Sequence, residues 1–226
     1  MQMKKHDFVE LDFVGKIKDT GEIFDLTEEK TAKDKNIFNP KFSYKPVMIC
    51  IGERHLIKGL DEFLEGKDVG DYTIEISPEN AFGKRDPKLM RLIPASAFND
   101  KQIRPFPGLR LNLDGILGTV RSVSGGRVII DFNHPLASKE VVYEVKVKRI
   151  LTKPEEKIQV ILDMLNPGIK FDIKDNRLTI KIKFPEQLQE SLSKKIKELI
   201  PEIKEVDFKE DAKESQKSSK GKSEKA

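Results

Sequence analysis

Leu56-Ile57-Lys58-Gly59-Leu60-Asp61-Glu62-Phe63-Leu64-Glu65-Gly66 is the stretch whose reading decides the fold. At 3.6 residues per turn, Leu56, Ile57, Leu60, Phe63 and Leu64 fall on one side of a helix and most of the charges on the other. That apolar side needs a cover. Just beyond it, Tyr72, Ile74 and Ile76 alternate with polar residues as one face of a strand. Ser77-Pro78-Glu79-Asn80 then turns the chain, and Ala81-Phe82-Gly83 brings an aromatic back toward the same region. A short helix laid across a sheet, with an aromatic loop beyond it, predicts a small apolar cleft.

Upstream, Val9, Leu11, Phe13, Gly15 and Ile17 share one strand face, Asp19-Thr20-Gly21 turns, and Glu22 to Leu26 runs back. Residues 27–44 lack periodicity and read as a long surface loop that can carry one helical turn; Pro46 to Ile51 is a further strand. Downstream, Leu109–Leu113, Ile116–Val123 and Arg127–Phe132, the last two joined by Ser124-Gly125-Gly126, form a small all-β unit. Its supply of core residues is small, so a mobile unit, or one grooved on a face, is expected. A long strand over 141–151 then returns, Val141, Tyr143, Val145, Val147 and Leu151 alternating with charges. This outward and return path makes the unit an insertion.

Pro154 opens a helix through Leu165, two strands flank Asp175-Asn176, a helix follows Pro185, and Ile203 to Phe208 is a last strand. Such an α-β-β-α-β module hardly hides both faces of its sheet, so it is the expected surface for a homodimer or other partner. The predicted class is therefore α+β. It comprises an antiparallel sheet wrapped on a short helix (residues 1–85 and 132–152), an inserted β domain (86–131) and the C-terminal module (153–208). A lysine-rich tail (209–226) without aromatics is expected to be disordered.

Composition narrows the function. Lys+Arg 42 against Asp+Glu 38 is near balance and argues against nucleic-acid binding. No apolar run is long enough for a membrane span, residues 1–7 lead straight into a strand, and the cytoplasm is the expected compartment. The lone Cys50 alternates with Ile49 and Ile51 and reads as a buried thiol. Metalloprotease, nucleophile-elbow and phosphate-loop motifs are absent, so the cleft suits binding of an apolar group better than hydrolysis.

Gly21-Glu22-Ile23-Phe24-Asp25, Leu56 to Asp61, Leu64-Glu65-Gly66-Lys67-Asp68-Val69-Gly70-Asp71, Pro78 to Gly83 and Phe132-Asn133-His134-Pro135-Leu136-Ala137 stand in an order that resembles the FKBP-type peptidyl-prolyl isomerases. More narrowly it resembles their SlyD-like branch, across residues 4–151, with the C-terminal module read as the extension of longer archaeal members. The resemblance implies a catalytic set of Phe13, Phe24, Asp25, Ile57 (through its amide), Phe82 and Tyr143. Val47, Leu56, Leu60 and Leu136 would bind substrate. Leu60 replaces a common tryptophan floor, and Phe82 lacks the hydroxyl of a common tyrosine. Implied partners are unfolded or proline-containing polypeptides, held by the insert, with no cofactor. No metal is expected either, because the tail lacks the histidines and cysteines of nickel-binding relatives. A holdase or assembly module that keeps the cleft without turnover is the alternative reading.

Overall fold

β1 (Phe8–Ile17) is the strand on which the first sheet is assembled. In this computed structural model, which describes residues 2–98, 103–113 and 115–209, its N-terminal half pairs with β3 (Val47–Cys50). Its C-terminal half pairs with β2 (Ile23–Leu26), so two short strands share one edge. On the other side come β9 (Val141–Ile150) and then β4 (Gly70–Ile76), all antiparallel. α2 (Lys58–Leu64) crosses the inner face and buries Leu60 and Leu64 among Val9, Leu11, Val145 and Val147. Each such aliphatic contributes about 1.5–3 kcal/mol relative to exposure. Gly59 permits the close crossing: a Cβ there would lie 2.5 Å from Ile76 Cγ2.

The helical turn expected within residues 27–44 is present as one short helix. α1 (Glu29–Asp34) buries only Ala32 and is tied by a 2.6 Å Lys33–Glu29 ion pair. Asp61 departs from its expected place on the charged side of α2. It is 6% exposed, and its carboxylate accepts the N–H groups of Gly52 (3.0 Å) and Arg54 (3.1 Å), closing the turn before the helix.

The insert is a four-stranded antiparallel sheet in the order β5 (Met90–Pro94), β8 (Arg127–Asp131), β7 (Ile116–Ser124), β6 (Arg110–Leu113). Its core gathers Phe98, Leu111, Val120, Val128 and Ile130.

The C-terminal module has α3 (Pro154–Leu165), β10 (Phe171–Lys174), β11 (Arg177–Ile180), α4 (Glu186–Leu199) and β12 (Glu205–Phe208). β11 is central, antiparallel to β10 and parallel to β12. Its core takes in Phe8, Cys50 and Leu151 from the outer face of the first sheet. Leu151 reaches that side because Leu11 pairs with Val147 but Glu10 with Arg149, leaving Lys148 as a bulge that reverses the alternation. One face of the module's sheet is spanned by ion pairs, Arg177 with Glu205 and Asp207, and Lys181 with Asp172. The tail expected to be disordered lies, beyond Lys209, outside the described residues. The fold is thus α+β, with the insert and the α-β-β-α-β arrangement expected from the residues.

Candidate active site

A cavity of about 550 Å³ opens between the inner face of the sheet and the N-terminal end of α2. β1 contributes Phe13, β9 Tyr143, β3 Val47 and α2 Leu60; Leu56 and Ile57 come from the approach to α2, and Asp25 and Phe82 complete the wall. Eight of the ten residues implied by the sequence resemblance line this one hollow. Phe24 packs behind it, its ring centroid 5.6 Å from Phe82 and 5.8 Å from Tyr143, both edge-on. Gly15, opposite Tyr143 in the β1–β9 register, makes room for this pair: a Cβ there would meet Phe24 Cζ at 2.9 Å. Leu136 does not line the cavity; it is half-buried in the loop after His134 and donates its N–H to His134 Nδ1 at 3.2 Å. The His134 ring in turn stacks on Phe82, centroids 4.6 Å apart.

Polar atoms in the cavity are few. The Ile57 N–H precedes the first turn of α2 and meets no acceptor among the described residues. Tyr143 is 4% exposed and lines the cavity; its hydroxyl has no hydrogen-bond partner among the described residues, and none of their fully buried side-chain oxygens goes unsatisfied, so the hydroxyl keeps some contact with solvent. Burial, and then the charge of Asp25, push the Tyr143 hydroxyl well above its ordinary pKa, so it remains a neutral donor. Asp25 keeps an open side to water but has protein around the rest of its carboxyl. That desolvation raises its pKa, the Leu26 N–H partly offsetting it. His55, also in the wall, is held below its ordinary pKa by burial, and its Nδ1 accepts the Cys50 N–H at 3.0 Å. Neutral His55 therefore carries its proton on Nε2.

Sequence reasoning missed Met48, Ile49, Arg54, His55 and Met164 in the lining. Met48 and Ile49 follow Val47 in the same strand and could have been included. Nothing in the sequence brings Met164 to this place.

The other openings differ in character. On the outer face of the sheet, a cavity of about 360 Å³ is bordered by Asp12, Glu28, Asp71 and Glu144. Asp12 is bound by Lys148 at 2.6 Å and Thr27 at 2.7 Å, and Glu144 by Lys16. In the insert, a groove of about 180 Å³ runs between Ile93, Phe98, Leu113, Ile116 and Phe132. Leu92, Phe106 and Leu117 are each more than half exposed on the same small unit.

Residues 1–99 match the family model described as FKBP-type peptidyl-prolyl cis-trans isomerase, and residues 91–136 the model described as FKBP26, IF domain. Over 149 residues the chain is 34% identical to the short-type peptidyl-prolyl cis-trans isomerase of Methanocaldococcus jannaschii, covering 66% of this chain and 94% of that one. The chain belongs to the FKBP-type peptidyl-prolyl cis-trans isomerases. Within that family it is 33% identical to a probable FKBP-type 16 kDa isomerase of Pseudomonas fluorescens, over 47% of this chain and 73% of the other. It is 30% identical to the SlyD isomerase of Vibrio cholerae, over 59% of this chain and 68% of that one. This FKBP-type domain carries an insert domain and is related to SlyD-type isomerases of bacteria and to an archaeal one.

Proposed function

We propose that the chain accelerates cis/trans isomerisation of X-Pro bonds in unfolded or folding polypeptides, and that the insert holds those chains beside the cleft. The observation that carries the reading is the convergence of Phe13, Leu60, Phe82 and Tyr143 on one cavity that Ile57 also lines, its N–H without an acceptor among the described residues. A proline ring packs on Leu60 and Tyr143, and the carbonyl following the proline accepts from Ile57.

Rotation about the peptide bond is opposed by a barrier of about 18–20 kcal/mol, because resonance favours the planar form. Water hydrogen-bonded to the amide oxygen stabilises that charge-separated planar form, so a dry pocket that binds the twisted geometry better lowers the barrier without covalent chemistry. A thousandfold acceleration needs about 4 kcal/mol of such differential binding. Stripping one polar group of its water costs a similar amount, about 2–7 kcal/mol. Asp25 is placed to act electrostatically on the rotating carbonyl, or to order Tyr143 through its field, rather than as a base. The Tyr143 hydroxyl supplies the polar contact that Phe82 cannot.

The insert's groove and exposed Leu92, Phe106 and Leu117 support its role as a weak apolar clamp, which raises the local concentration of substrate. We read the C-terminal module as the extension of a long archaeal form and a candidate homodimer surface, which sedimentation of the chain with and without it tests. A protease-coupled assay on a proline tetrapeptide, run at several protein concentrations, tests the activity. The expected rate rises linearly with protein; binding without acceleration makes the chain a holdase and refutes the enzyme reading.

A further inference from the structure

One wall of the cleft comes from outside the isomerase domain. Beside Met48, Arg54 and His55 stands Met164, from the last turn of α3 in the C-terminal module. Its position is set from two sides. Ile158, Ile161 and Leu162 of α3 share a core with Phe8, Cys50 and Leu151 of the first sheet, and Lys195 of α4 reaches Glu53, the neighbour of Arg54, at 2.5 Å. Met164 itself is 54% exposed and Met48 36%, so neither is spent on filling the core. Two unbranched thioether chains, open to water, thus border a cavity whose deeper lining is apolar. Arg54, whose backbone N–H bonds Asp61, lines the same cavity, and its guanidinium forms no ion pair among the described residues.

We propose that Met164 and Met48 form a subsite for a large apolar side chain on the residue that follows the proline, so that the C-terminal module takes part in choosing the substrate. The inference rests on the isomerase reading above. With the proline carbonyl held at the Ile57 N–H, the next Cα lies 3.8 Å from that of the proline. The proposed path leaves past Arg54, His55 and Leu56, the segment leading into Ile57, all of which line the same cavity as Met164. Methionine adapts its shape to its neighbour, so the subsite favours size and apolarity over one particular side chain. The Arg54 guanidinium disfavours lysine or arginine at that position.

Protease-free exchange NMR on peptides Ala-Phe-Pro-Z, with Z leucine, phenylalanine or glycine and the full chain as catalyst, tests this. Wild type is expected to favour leucine over glycine in kcat/KM by about fivefold. In Met164→Ala the preference falls to about twofold or less, and in Met164→Leu it returns. A side chain that mattered only for structure would slow all peptides alike and leave the ratio unchanged. Met164→Gln, of similar length but polar, repeats the test should the alanine variant fold poorly. An unchanged leucine-to-glycine ratio in both variants overturns the subsite and leaves the isomerase reading standing. No acceleration of any peptide by wild type overturns both.

Discussion

Replacing Asp131 by alanine should loosen the joint between the insert and the isomerase domain while leaving the cleft intact. Asp131 ends β8, and its side chain is 2% exposed. Oδ1 accepts the N–H (2.9 Å) and Nδ2 (2.8 Å) of Asn133, and Oδ2 accepts Arg121 Nε (2.9 Å) and Arg85 Nη1. Arg85 lies in the outgoing connection to the insert and Asn133 in the returning one, where its amide also bonds Asp86. Burial works to raise the Asp131 pKa, but the Asn133 bonds and the two arginines outweigh it and hold the carboxyl below its ordinary value. Breaking a buried pair costs about 3–5 kcal/mol. Here Arg85 and Arg121 are 34% and 42% exposed, so both rehydrate once released, which puts the loss at about 3 kcal/mol. Against the small insert core of Phe98, Leu111, Val120, Val128 and Ile130, that is a large share. Amide hydrogen exchange in β7 and β8 should quicken by about a hundredfold, with β1 and β9 unchanged. Tetrapeptide isomerisation should persist while catalysis of proline-limited protein refolding slows. Since a depressed carboxylate pKa gives stability above about pH 4 that is lost on acidification, the difference between variant and wild type should shrink there. Unchanged protection of the insert amides at neutral pH would refute the reasoning.

Gly59→Ala pushes a Cβ against Ile76 Cγ2 and should lift α2 from the sheet; urea unfolding should show a loss of about 1–3 kcal/mol, and an unchanged midpoint would contradict the close crossing. In Asp25→Asn, catalytic efficiency should drop while stability at neutral pH holds or rises. Burial raises the folded-state pKa of Asp25, so its stabilising contribution is complete only below about pH 4 and is lost as pH climbs through the folded value. Melting curves at pH 4 and 7 check the sign, and a variant less stable than wild type only at pH 7 would reverse it. The Cys50 thiol, pushed up to about 12 by burial and then by Glu53, should ignore a disulfide reagent at pH 8 until urea unfolds the chain; rapid labelling of the native protein would count against its place in the core.

Much of the cleft was legible because its residues obey local periodicity. Leu60 and Leu64 repeat at helical spacing, Phe13 and Tyr143 at strand spacing, and the order of short motifs joined them into one pocket. Pro154 likewise marked the start of α3, because a proline loses nothing in the first turn. What escaped depends on contacts distant in sequence. Asp61 looks like a surface charge until the Gly52 and Arg54 amides are found above it. Leu151 follows the alternation of β9 on paper, yet the bulge at Lys148 sends it to the opposite core. β5 was unrecognised, since Met90–Pro94 is largely exposed and becomes a strand only by pairing with β8. Met164 reads as one exposed helix residue among many; only the docking of α3 carries it to the cleft.

The most direct measurement is the cis/trans exchange rate of a Phe-Pro peptide, followed by exchange NMR with substoichiometric full-length chain and with its Tyr143→Ala variant. Wild type should bring an exchange that takes tens of seconds unaided into the subsecond range, and the variant should lose about tenfold or more of that effect as the cleft loses its wall and hydroxyl. Exchange no faster than in buffer, or equally fast with both proteins, would contradict a cleft that works by gripping the proline.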